Sequence, residues 1–379
     1  MASIQPDPPP ASLTLVLALA LVAAAPLQDS RTVRFDPGVE YPAGNYPCSV
    51  AIGFLNADPI PDLAVANYGS NSVSVLLGKG DGTFRDRREF PASFLPYTIA
   101  AADFNQDGRT DLAVASEGAG TVSVLLGEGD GSFAKRQDWD AGGGAYSIAV
   151  GDLNADGIPD LVATNLNLNR VSVLLARGDG SFRPPVSYGT AHGPRAVAMA
   201  DLDSNGTPDL AVACFNSDAM SVLLGRGDGT FGRRTDYPAG ISPYSIAAGD
   251  INGDTWPDLA VTNLVSNTVS VFLGTGRGYF RKKRDVRTGK QPYALAIADL
   301  SGDGRADFAS SDLASNACSV MLGKGDGGFQ KAVLLVAGER PQSIAAGDLD
   351  KDGRPDLATA NTGSNTVSVF LNRGRAAPP

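Results

Sequence analysis

A ten-residue segment starting at Asp103, DFNQDGRTDL, returns as DLNADGIPDL from Asp152, DLDSNGTPDL from Asp201, DINGDTWPDL from Asp250, DLSGDGRADF from Asp299 and DLDKDGRPDL from Asp348. A degenerate copy, FLNADPIPDL, starts at Phe54, and all the starts lie 49 residues apart without insertion or deletion. Units that cannot bury a core alone must stack on their neighbours, so this register constrains the fold more than any single residue does. The repeats fill nearly all of the 379 residues, and no second domain is expected.

Within a unit, short apolar runs alternate with turn signals, as at 147–153, 160–165, 171–176 and 182–188, which predicts four strands. Runs such as SIAVGDL and SVSVLLG are nearly continuous, so both faces of each sheet should be buried between neighbours. Three residues before each motif stands alanine: Ala51, Ala100, Ala149, Ala198, Ala247, Ala296 and Ala345. Strands converging on an axis have little room for side chains, so this is the innermost strand of a radial array. The last unit stops near Phe370 without its fourth strand, while 33–41 has the character of one. Pairing the two ends closes a ring and removes exposed sheet edges. The reading is all-β: a seven-bladed β-propeller of four-stranded blades over 33–375, with a four-residue tail at 376–379.

The segment LTLVLALALVAAA, from Leu13 to Ala25, is too short for a membrane helix of ~20 residues but suits a secretory signal. Residues 1–25 are read as that signal and 26–32 as a linker. The mature chain is expected to be secreted, periplasmic or extracellular, without a membrane span, and monomeric. Cys48, Cys214 and Cys318 form no even framework and are read as buried thiols. Thirty-one Lys and Arg against 41 Asp and Glu give a net charge of -10, which repels a phosphate backbone and excludes a nucleic-acid partner. One histidine, His192, and no CxxC or HExxH leave little common enzyme chemistry.

The repeated segment reads D-x-[ND]-x-[DN]-G-x-x-D. Oxygen side chains at positions 1, 3, 5 and 9, with a backbone carbonyl at 7, suit one hard cation, and glycine at 6 permits the sharp turn. The expected ligand sets are Asp103, Asn105, Asp107, Arg109 and Asp111; Asp152, Asn154, Asp156, Ile158 and Asp160; Asp201, Asp203, Asn205, Thr207 and Asp209. They continue as Asp250, Asn252, Asp254, Trp256 and Asp258; Asp299, Ser301, Asp303, Arg305 and Asp307; and Asp348, Asp350, Asp352, Arg354 and Asp356. Side chains as different as Arg109 and Ile158 are tolerated at position 7 because only the carbonyl serves. Oxygen-only donors favour calcium, up to six ions. The competing explanation is that these residues only cap tight turns. An EF-hand is excluded, since position 12 lies inside a strand and is never Glu. The first unit should hold no ion, because Phe54 offers no oxygen and Pro59 cannot reach positive φ. Thr255 in place of glycine should make the Asp250 loop the weakest.

The pairing of GDLNADGIPDLVATN with VSVLLARGDGSF resembles the FG-GAP and VCBS-type repeats of integrin α-chain propellers and of many secreted bacterial proteins, over Arg34 to about Arg373. The resemblance implies a calcium-binding hairpin between the first two strands on one face, and implies little about activity.

Alternating strand directions put the acidic loops and the GDGTF turns on one face and the remaining loops around the channel mouth opposite. Six residues before each motif lie Cys48, Tyr97, Tyr146, Arg195, Tyr244, Tyr293 and Gln342, a rim of candidate ligand-binding residues. Asn67, Asn165, Asn263 and Asn361 occupy matching second-strand ends. Tyrosines and amides stack on and hydrogen-bond sugars or protein segments; alternatively they pack between blades and cap turns. The leading function is an interaction module for a glycan or an extracellular protein. The alternatives are a polysaccharide lyase or hydrolase using Arg195, His192 or a rim tyrosine, and a structural envelope component. Trp139 and Trp256 are read as packing.

Overall fold

Tight turns between β-rich runs make each 49-residue unit an antiparallel sheet. The computed structural model describes residues 33–375, and in them seven four-stranded sheets and one two-stranded ribbon form. The expected signal, linker and tail lie outside the described residues. In the third blade the strands are Ala145–Gly151, Asp160–Asn165, Arg170–Leu174 and Val186–Gly189, paired in chain order. The fourth is shorter than its sequence suggests: Phe182 makes only a single bridge to Ala176, and pairing resumes at Val186. Phe182 is instead buried between blades, its ring edge-on to Phe104 and Trp139.

Every second strand is buried along its whole length, as in Asp111–Ser116 and Asp209–Cys214, because sheets cover it on both faces. Inner strands of successive blades touch all the way round, including Pro341–Gly347 against Pro47–Gly53. The ring is closed by both ends of the chain. Val39–Pro42 becomes the outer strand of the last blade against Thr366–Phe370. Val33–Phe35 pairs with Asn372–Arg375, Phe35 opposite Asn372. Phe35, 49 residues before Phe84, takes the place that Phe84 holds opposite Gly78 in the first blade.

In three blades the acidic loop docks on the GDG or GRG turn of the next: the Gly180 amide donates to the Phe104 carbonyl at 3.3 Å, Gly229 to Leu153 at 2.9 Å and Gly278 to Leu202 at 2.9 Å. Both loop types therefore share one face, as the alternation of strands requires. The three cysteines are buried and free. Among the described residues no helix is long and apolar enough to cross a membrane. Trp139 packs in the core; Trp256 is only partly covered, lying over Gly276.

Candidate functional site

The six acidic loops are held by their own carboxylates. Asp103 accepts from the amides of Asp107 at 3.2 Å and Gly108 at 2.8 Å, and Asp107 accepts from Arg109 at 2.9 Å. The same pattern recurs from Asp152, Asp201, Asp250, Asp299 and Asp348. Turn capping is therefore real here. It does not exhaust the oxygens, since each carries two lone pairs. Carboxylate oxygens of Asp201, Asp203 and Asp209 lie within 4.8 Å of one another, as do those of Asp348, Asp350 and Asp356. Asp350 Oδ1 is buried without a hydrogen-bond partner. An all-oxygen donor set with an orphaned buried oxygen fits a hard cation.

Position 9 plays a separate part. Asp111 is fully buried; one oxygen accepts from the Phe104 amide at 2.9 Å and the other from Gly127 at 2.7 Å, tying the loop to the third strand's end. Burial pushes its carboxyl up to about 6, against the pull of those two amides, and does the same at Asp160, Asp209, Asp258, Asp307 and Asp356. Asp62 makes the same pair of bonds, to Leu55 at 2.9 Å and Gly78 at 2.8 Å, in the first blade. That blade has an exposed Phe54 where the others have a carboxylate. Position 9 is thus needed by the fold even where the rest of the motif is missing.

Two features of this face were not legible in the sequence. Arg373, from the closing ribbon, bridges Asp36 and Asp350, each at 2.7 Å, and Arg375 reaches Asp303 at 2.6 Å. The chain's own cations thus already sit on the last two loops. Thr255 adopts φ 71, so the loop keeps its shape with a β-branched residue in the left-handed region.

On the opposite face, Cys48, Tyr97, Tyr146, Arg195, Tyr244, Tyr293 and Gln342 do converge on one cavity, of about 180 Å³. The phenol of Tyr97 meets that of Tyr244 at 2.7 Å and that of Tyr293, so hydroxyls from three blades close the channel. Arg195 stands over the rings of Tyr146 and Tyr244, 4.4 and 4.6 Å from their centroids, and farther from Phe215. Two tyrosine faces expected to stack on a ligand are therefore covered from within. Tyr146 donates to Glu117. Burial raises the Tyr97 and Tyr244 phenols well above their ordinary range, with neighbouring tyrosines adding to it, so they stay protonated at neutral pH.

His192 is exposed and does not line the cavity. Asn67, Asn165, Asn263 and Asn361 correct the ligand reading: they are fully buried inside blades. Asn67 accepts from the Gly44 amide and donates to Ser74, which is the turn-capping alternative.

The repeat motif and the ring together point to a family. Models of the FG-GAP-like repeat match residues 55–114, 103–163, 152–212, 201–261 and 250–310, and a model of the FG-GAP repeat matches 341–370. The chain belongs to the FG-GAP repeat family. Curated proteins offer this FG-GAP propeller no match. Among solved structures it is similar to a streptogramin B lyase, with TM-score 0.65 and 16% identity over 91% of this chain and 100% of that one. It is also similar to BBS1N in complex with ARL6DN, with TM-score 0.65 and 12% identity over 89% and 96%. An Agrocybe aegerita lectin recognising non-reducing terminal N-acetylglucosamine aligns with TM-score 0.57 and 21% identity over 83% and 85%. At these identities the likeness is one of fold.

Proposed function

We propose that this FG-GAP propeller is an exported, calcium-stabilised interaction module that takes a glycan or protein ligand at the channel mouth. The observation that carries the reading is the convergence of one residue from each blade on a single polar cavity, on the face opposite the acidic loops. The solved propellers it is similar to include one described with a protein partner and one that recognises a sugar, which supports the class of function and no particular ligand. Export rests on the Leu13 to Ala25 segment.

Calcium would be held by the side chains at positions 1, 3 and 5, a position-7 carbonyl and the position-9 carboxylate; three carboxylates already converge in the Asp201 and Asp348 loops, the latter with Arg373 on Asp350. Once bound it would neutralise the clustered carboxylates. A folded-state ligand stabilises by RT ln(1 + [L]/Kd), about 1.4 to 2.7 kcal/mol per site at ten to a hundred times Kd. Chelation should therefore lower Tm clearly; an identical melt in EDTA and in calcium overturns the metal assignment.

A lyase or hydrolase reading needs a proton acceptor in the cavity. The phenols are held neutral and His192 lies outside it, so binding without turnover is the better supported reading. Glycan-array and protein-capture experiments with the wild type and a Tyr97→Ala, Tyr293→Ala variant test it. Capture that survives the double variant would place the site elsewhere, and release of unsaturated sugars would favour a lyase.

A further inference from the structure

The rim breaks its own pattern at one place. Tyr146, Arg195 and Tyr244 hold matching positions in successive blades, and Arg195 puts a permanent charge between two phenol rings. None of its N–H donors finds a hydrogen-bond acceptor among the described residues, and Nε is buried. No Asp or Glu lines the cavity. The nearby carboxylate, Glu117, is engaged by Tyr146. Arg195 is thus the one charged side chain lining the cavity among the described residues, with the Glu117 carboxylate beyond Tyr146 at its edge.

The rest of the lining is rich in hydroxyls. Ser49, Ser147 and Ser343 each accept from a backbone amide of the neighbouring blade, of Ile99, Val197 and Val50, which leaves their O–H groups free to donate. Gln342 Oε1 is buried without a donor. The guanidinium carbon lies over both rings, and its N–H groups, without an acceptor among the described residues, suit a planar, two-oxygen acceptor. The volume has room for about six waters at ~30 Å³ each, enough for a carboxylate and the adjoining part of one ring.

We propose that the channel mouth binds an acidic sugar, its carboxylate on Arg195 and its hydroxyls against the serines and Gln342. This rests on the channel mouth being the ligand face and adds the ligand's chemical class. A peptide C-terminus supplies the same carboxylate but few further oxygens for the free hydroxyls and is the less complete match.

The test is an NMR titration of the full chain with D-glucuronate, D-galacturonate, D-glucose and triglycine. At least one uronate should shift rim resonances and bind about tenfold or more tightly than glucose, with Arg195→Gln removing that advantage and Arg195→Lys keeping part of it. Equal binding of glucose and uronates by the wild type overturns the proposal, as does an Arg195→Gln variant with undiminished uronate affinity. Triglycine binding as well as either uronate overturns the sugar assignment. If no uronate binds while rim variants still abolish capture of another ligand, the acidic-sugar proposal fails and the module reading stands; if rim variants affect no ligand, both fail.

Discussion

Asp312 offers a sharp test of how the blades hold together. In four blades the second strand ends in asparagine, whose Nδ2 donates to a third-strand serine: Asn67 to Ser74 at 2.9 Å, Asn165 to Ser172 at 2.8 Å, Asn263 to Ser270 at 2.9 Å and Asn361 to Ser368 at 2.8 Å. Where the outer strand pairs an acid with that serine, as Asp285 with Ser270, the serine hydroxyl donates to it at 2.6 Å. The sixth blade exchanges the two. Leu334 pairs with Ser319, and the carboxylate moves inward to Asp312, which accepts from Ser319 and Ser310. Asp312 is fully buried, and burial pushes its carboxyl from 3.8 up to about 6. The folded chain thus holds this proton more tightly than the unfolded one. The stability gained is complete below about pH 4 and is lost as pH rises through about 6, a span worth roughly 3 kcal/mol at 1.36 kcal/mol per pH unit. Asp312→Asn removes the titration. Urea unfolding of both proteins at fixed calcium, from about pH 4 to about pH 7, should show the variant gaining roughly 3 kcal/mol on the wild type. Groups common to both cancel in the difference, and a difference that stays flat over that range refutes the reasoning.

Thr255→Gly should stabilise by about 1 kcal/mol, because a left-handed L-residue costs roughly 1–2 kcal/mol and glycine's unfolded-state freedom returns part of it. The matching glycines, such as Gly108 and Gly157, have nothing within 4 Å of a built Cβ, so the cost is one of backbone alone; a less stable variant in denaturant melts contradicts this. Asp62→Ala should cost roughly 2–5 kcal/mol by leaving the Leu55 and Gly78 amides unpaired, equally with calcium and with EDTA. A loss seen only in calcium would make Asp62 a metal ligand instead. Arg373→Ala frees Asp350 and should tighten calcium binding at the last loop in a calorimetric titration; unchanged affinity would show that the arginine does not compete.

The fold was legible because the 49-residue register repeats both the alanines of the inner strand and the turns, and because Phe35 stands one register before Phe84. The acidic loops were legible as a spacing. What spacing cannot show is which partner a side chain chooses. Asn67 and its counterparts look like rim amides until the blade twist turns them inward onto serines. Arg195 looks like one more rim residue until two neighbouring blades bring Tyr146 and Tyr244 against it. Arg373 and Arg375 lie outside the motif and reach the loops only because the ring closes through the two chain ends.

The first blade shows how such a repeat tolerates change. It has lost the first carboxylate to Phe54 and the turn glycine to Pro59, yet Asp62 still bridges two amides as its six counterparts do. One short motif therefore carries two tasks that meet at position 9, which fastens the loop to its blade and also faces the oxygen-lined turn that positions 1, 3 and 5 shape. A unit can give up the second task without losing the first, so identity among units reports the demands of folding. The channel mouth obeys the opposite logic. The inner strand carries the same alanine in every unit, while the rim position just outside it varies among Cys48, Arg195, Gln342 and four tyrosines. A ring of near-identical wedges gains specificity only where its units differ, and the single arginine there is the largest such difference the channel mouth contains.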